Sequence, residues 1–144
     1  MHGICKMNDE LKETDITMVS KTILVIEDEE FISNSIVKAL KKEGYGVITT
    51  SDYATSINVI DGAMIDLVVS DVMLPFAGGI DIVEHIKGST KLSHIPILLV
   101  TGMDRDILYS SKIPADAIIS KPFDMSQLVA LVNANIKKAA VTVE

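Results

Sequence analysis

Acids, a hydroxyl and an ammonium stand at the ends of four short apolar runs, and together these groups could do chemistry. Residues 22–26 run into Glu27, Asp28 and Glu29; residues 67–70 run into Asp71; residues 97–100 run into Thr101 and Gly102; residues 117–120 run into Lys121 and Pro122. Carboxylates gathered against a lysine suit a hard divalent cation beside a phosphoryl group. That chemistry requires all four run ends to meet at one place. Continuous apolar runs of this length, separated by helical stretches, are the pattern of parallel strands covered on both faces. The carboxyl ends of such strands share one edge, and ligands of open α/β sheets bind there.

The stretches between the runs supply the helices this arrangement needs. After the first strand, Ile32, Ile36, Ala39 and Leu40 recur on one face of a helix from about Glu29 to Glu43, and Gly44 is placed to stop it. Residues 47–49 form a short second strand, followed by a helix with Ala54, Ile57 and Ile60 inward and Gly62 at its end. The third strand spans 66–70 and leads through Asp71 into a loop with Pro75, Gly78 and Gly79, then a helix from Ile80 to Lys87. Pro96 opens the fourth strand, and 102–116 should hold a helix that Pro114 cuts short. After the fifth strand, Asp124 and Gln127 cap a helix with Leu128, Leu131, Val132 and Ile136 on one stripe. Five βα units in alternation predict a doubly wound α/β domain.

Size and composition agree. The 144 residues suffice for one domain with a real core and are too few for two. A hydrophobic fraction of 48% excludes a disordered chain. A net charge of -7 argues against a direct nucleic-acid surface and fits a protein that meets other proteins. Cys5 is the only cysteine, so an internal disulfide is excluded and a reducing compartment, the cytoplasm, is expected. The longest apolar run, residues 128–132, is far too short for membrane insertion. Residues 1–20 are polar and lack periodicity, so they read as a poorly ordered N-terminal extension to a domain at 21–140.

Four stretches in this order carry a resemblance: residues 23–29, ending Glu27-Asp28-Glu29; Asp71-Val72-Met73-Leu74-Pro75, with Gly79 eight residues after the aspartate; Val100-Thr101; and Lys121-Pro122-Phe123. The chain resembles the receiver domain of two-component response regulators, in the stand-alone form of the chemotaxis regulators. Each stretch alone is weak, and all four together are specific. The resemblance implies a flavodoxin-like five-stranded parallel sheet in the order 2-1-3-4-5, with helices on both faces. It implies Asp71 as the phosphoacceptor, forming an aspartyl phosphate, with Thr101 and Lys121 contacting the phosphoryl group. It implies Mg²⁺, or Mn²⁺, held by Glu27, Asp28, Asp71 and the backbone carbonyl of Met73, and a cis peptide before Pro122. The partners it implies are a sensor histidine kinase or phosphotransfer protein as donor and a downstream protein target. On this reading the protein is no enzyme beyond catalysing its own phosphorylation and dephosphorylation. The other readings are a phosphorylation-independent interaction module and a receiver cut from a larger regulator or hybrid kinase.

Taken singly, the same residues have plainer explanations. Asp71 could be a turn or cap residue, Glu27 to Glu30 a complement to a helix N-terminus, Thr101-Gly102 a turn, and Lys121 a surface lysine. All four plain explanations holding at one rim is improbable. His2, His85 and His94 lie on unrelated segments, which argues against a histidine metal site, and no Gly-x-Gly-x-x-Gly follows the first strand. Phosphatases resembling haloacid dehalogenases place a second acid two residues after the nucleophile, where this chain has Met73. Three positions depart from the resemblance: Ile118 stands where many receivers carry an aromatic, Gly102 where alanine is usual, and the interval from Thr101 to Lys121 is short. A branched aliphatic cannot swing a ring, so the output route is expected to use residues 102–116 instead.

Overall fold

A computed structural model describes residues 20–74, 77–102, 106 and 112–143. Among the described residues there are five strands: β1 (Thr22–Ile26), β2 (Gly46–Thr50), β3 (Leu67–Asp71), β4 (Ile97–Thr101) and β5 (Ala117–Ser120). They form one sheet in the order β2-β1-β3-β4-β5, parallel at every pairing, the order that the family resemblance implies. The described helices are α1 (Glu30–Lys42), α2 (Tyr53–Gly62), α3 (Gly79–Lys87) and α4 (Met125–Val143). None of the described helices is long and apolar enough to cross a membrane.

Strand alternation divides the core in two. Leu24, Ile26, Val68, Ile97, Leu99 and Ile118 face one side, where Ile60 of α2 and Ile82, Val83 and Ile86 of α3 cover them. Ile23, Val25, Leu67, Val69, Leu98, Val100 and Ile119 face the other, against Ile36 and Leu40 of α1 and Leu128, Val132 and Ile136 of α4. A strand apolar at every position is stable only between two such layers, which is why these runs do not alternate with polar residues.

Several boundaries differ from the sequence expectation. β2 extends over five residues because each of them pairs with β1, from Thr22↔Gly46 to Ile26↔Thr50. β3 is shifted one residue toward its carboxyl end, starting at Leu67, and β4 extends one residue further; they take Asp71 and Thr101 into the ladder, where Asp71 is level with Val100 and Thr101 with Ser120. Ala54 faces solvent, whereas Ile57 and Ile60 face the core as expected; Ser56 is also buried, bonded to Thr50 and to the Asp52 carbonyl. α1 stops where expected: Gly44 has φ +97°, a conformation L side chains rarely adopt. At α4 the side chain of Gln127 accepts the Asp124 N–H at 3.1 Å. The helix expected within 102–116 and the extension at 1–20 lie largely outside the described residues.

At the amino-terminal sheet edge, Asp66 accepts the N–H of Thr22 and Asp116 that of Ile97, both at 2.8 Å. Lys87 bonds Asp116 and the carbonyls of Ser93 and Ile95. These contacts fix strand register, and so the level at which the opposite ends emerge.

Candidate phosphoryl and cation site

Four strand ends converge at the carboxyl edge. β1 delivers Glu27, whose N–H is held by the Thr50 carbonyl at 3.1 Å, and β3 delivers Asp71. β4 delivers Thr101, whose carbonyl accepts the N–H of Lys121 at 2.6 Å just past β5. The peptide between Lys121 and Pro122 is cis. Lys121 Nζ lies 2.9 Å from Asp71 Oδ2 and 3.6 Å from Glu27 Oε1, although 50 residues separate the first pair along the chain. The other oxygen of Asp71, Oδ1, accepts the Met73 N–H at 2.9 Å. Asp71 is therefore held at both oxygens, which orients its carboxylate.

One carboxylate oxygen from each of Glu27, Asp28 and Asp71 lies within 4.8 Å of the others. Two of these acids are buried, Glu27 at 4% exposure and Asp71 at 6%, while Asp28 faces solvent. Hard oxygen donors at this spacing, open on one side, fit a cation that keeps part of its water shell. A polar cleft beside the acids is lined by Ser33, Asn34, Thr49, Thr50 and Ser51.

Electrostatics follow from burial. Desolvation pushes the Glu27 carboxyl up from 4.5 to about 7; the Glu29 N–H lowers it, the charge of Asp71 raises it further, and Lys121 lowers it. For Lys121, burial works against the ammonium, but the hydrogen bond and charge of Asp71, aided by Glu27 and Glu29, hold its pKa above the ordinary lysine value. The backbone N–H of Glu29 donates to Glu27 Oε2 at 3.1 Å.

The loop after Asp71 is held by close backbone approach. An added Cβ on Gly79 would lie 2.5 Å from the Asp71 carbonyl oxygen, and one on Gly78 would lie 2.3 Å from that of Val72. Glycine is thus required here by space. Asp81 accepts the Gly78 N–H at 2.9 Å and closes the first turn of α3.

Glu27, Asp28, Asp71, Thr101 and Lys121 are brought to one rim, with Thr101 fully buried and Met73 exposed beside Asp71. Gly102 lies at the same edge with open space where a side chain would be. Ile118 is buried in the core and pairs with Leu99. Sequence reasoning missed the side chain of Glu29, which reaches Lys121 Nζ at 3.6 Å. Its membership of the acidic run was the available signal, and a role as helix complement explained it too readily. Beyond the rim, Phe31 and Ile32 of α1 line an apolar groove with Pro122, Phe123 and Met125, and Lys121 borders it.

The response regulator receiver domain model matches residues 23–133. The chain is 30% identical over 122 residues to the phosphate regulon transcriptional regulatory protein PhoB of Escherichia coli, covering 83% of this chain and 53% of that protein. It is 34% identical over 118 residues to an uncharacterized transcriptional regulatory protein, YcbL, of Bacillus subtilis, covering 81% and 51%. The chain thus spans about half the length of these relatives. Among solved structures, the signal receiver domain of a histidine kinase from Syntrophus aciditrophicus superposes with a TM-score of 0.77 at 26% identity, covering 83% of this chain and 92% of that one. A CheY-like receiver domain protein from Methanospirillum hungatei shares the fold, with a TM-score of 0.77 at 23% identity over 85% and 98% of the two chains.

Proposed function

The chain belongs to the response regulator receiver domain family of two-component systems, and from that premise we propose that Asp71 accepts a phosphoryl group from a phosphohistidine protein. The observation that carries this reading is the 2.9 Å contact of Lys121 Nζ with Asp71 Oδ2, beside three acids able to share a cation. Phosphoryl transfer needs positioning and charge neutralisation more than covalent help from the protein. Asp71 is the nucleophile: one of its oxygens attacks phosphorus while the bond to the donor nitrogen breaks. The Met73 N–H and Lys121 hold the carboxylate in place beforehand, and Lys121 then neutralises the phosphoryl oxygens. On this reading Thr101, at the end of β4, hydrogen-bonds the phosphoryl group. Glu27, Asp28 and Asp71, with the Met73 carbonyl, would hold Mg²⁺ or Mn²⁺. When bound, that cation supplies positive charge to the transferring phosphoryl oxygens.

The donor is a sensor histidine kinase or phosphotransfer protein, which we place in the cytoplasm with this chain. The apolar groove with exposed Phe31, bordered by Lys121, supports a protein donor that seats on this rim. The signal passes on by contact with a downstream protein. The only chemistry on this reading is the protein's own phosphorylation and dephosphorylation.

Mass spectrometry after incubation with acetyl phosphate and Mg²⁺ tests the assignment. The wild type should gain one acid-labile phosphoryl group, and Asp71→Asn, isosteric but not nucleophilic, should gain none while melting cooperatively. Unchanged labelling of Asp71→Asn would place the acceptor elsewhere. A wild type that never labels would favour a phosphorylation-independent module.

A further inference from the structure

Lys121 is the ammonium at the centre of the rim, and three carboxylates compete for it. Asp71 lies at 2.9 Å and Glu27 and Glu29 each at 3.6 Å. Two of the three are buried walls of the pocket. Glu29 is different: its side chain is 63% exposed, and it is no part of the cation cluster of Glu27, Asp28 and Asp71. Its backbone N–H is tied to Glu27 Oε2, so its side chain starts from a fixed point and reaches back over Lys121 from the solvent side.

Resting on phosphoryl acceptance at Asp71, we propose that Glu29 is a positioning residue that restrains Lys121 from outside and competes with the incoming phosphoryl group for its charge. In the reaction an Asp71 oxygen attacks phosphorus, the phosphorus–oxygen bond of a donor such as acetyl phosphate breaks, and acetate leaves with the electron pair. Transfer itself requires no proton or redox partner. The phosphoryl oxygens then need the charge and donors of Lys121, whose ammonium lies 3.6 Å from the Glu29 carboxylate. Glu29 also adds negative charge at the mouth through which an anionic donor must pass, and this repulsion acts on encounter. Its bond to Glu27 is made by the backbone N–H, which Gln or Asp at this position retains, so the side chain can be changed without dismantling the pocket.

The full chain with saturating Mg²⁺ is titrated with acetyl phosphate, and initial rates are read from mass gain. At low ionic strength Glu29→Gln should raise kcat/KM about two- to fivefold, the range for one exposed charge pair, and chiefly through a lower KM. Near 1 M salt, where the screening length is about 3 Å, the advantage should disappear. Glu29→Asp keeps the charge and should stay within about twofold of wild type. A Glu29→Gln protein no faster at low salt, or faster at every salt concentration, overturns the proposal. So does Glu29→Asp behaving like Glu29→Gln. A wild type inert to acetyl phosphate removes the premise and the proposal together; a reactive wild type with indistinguishable variants removes only the role of Glu29.

Discussion

Replacing Glu27 by Gln should stabilise the protein in the absence of divalent cations, and only above mildly acidic pH. Burial raises this carboxyl from 4.5 to about 7, with Asp71 adding to the effect. A carboxyl raised on folding binds more protons in the native state than in the unfolded chain between those two values. Its contribution to stability is therefore fully present below about pH 4.5 and is lost as pH rises through about 7. A shift of this size corresponds to roughly 3 kcal/mol, of which about 2 kcal/mol is lost between roughly pH 5.5 and 8. Glutamine imitates the protonated acid in shape and charge at every pH. Urea unfolding in EDTA across that interval should thus show a Glu27→Gln advantage on the order of 3 kcal/mol at pH 8, shrinking to about half or less at pH 5.5. In thermal melts, the difference at high pH should be roughly 10 °C for a domain of this size. Both proteins carry every other titrating group, so the difference reports Glu27 together with its coupling to Asp71 and Lys121. Parallel stability curves for the two proteins across this pH range would refute the argument, because the burial of Glu27 would then carry no electrostatic cost.

Two further perturbations test other parts of the rim. Asp28→Ala should raise the melting temperature without metal, by less than Glu27→Gln because Asp28 faces solvent, and should weaken Mg²⁺ binding in calorimetry by about tenfold or more. A variant that melts lower and binds Mg²⁺ normally would make Asp28 a structural cap instead. Gly79→Ala places a Cβ 2.5 Å from the Asp71 carbonyl oxygen and 3.1 Å from Leu99 Cδ2. It should cost about 1–3 kcal/mol in chemical unfolding and slow labelling of Asp71; unchanged values for both would show that the loop yields freely.

Much of this protein could be read from local pattern alone. A strand buried on both faces must be apolar at every position, so Ile23 to Ile26 or Ile97 to Val100 announce themselves as strands of a sheet covered on both faces without coordinates. The point where such a run turns polar marks the carboxyl edge, which is why Asp71, Thr101 and Lys121 could be placed at one rim in advance. Parallel topology converts a one-dimensional pattern into a shared edge, and nothing finer is needed for that step. Distances and burial belong to the tertiary structure. Glu27 and Asp28 are neighbours in sequence, yet one is buried with a carboxyl near pH 7 and the other faces water. That difference arises from which way each side chain leaves the end of β1 and from what β2, β3 and β5 bring beside it. The reach of Glu29 to Lys121 depends on segments about ninety residues apart meeting in register, and the outward turn of Ala54 on which face of α2 meets the sheet. Gly79 shows the same limit: a glycine after a proline-containing loop reads as a turn, and only the approach of the Asp71 carbonyl to within 2.5 Å of where its side chain would stand reveals it as a spacer that lets α3 pack against β3. Local sequence sets periodicity, whereas contact between distant groups is decided by how whole layers pack.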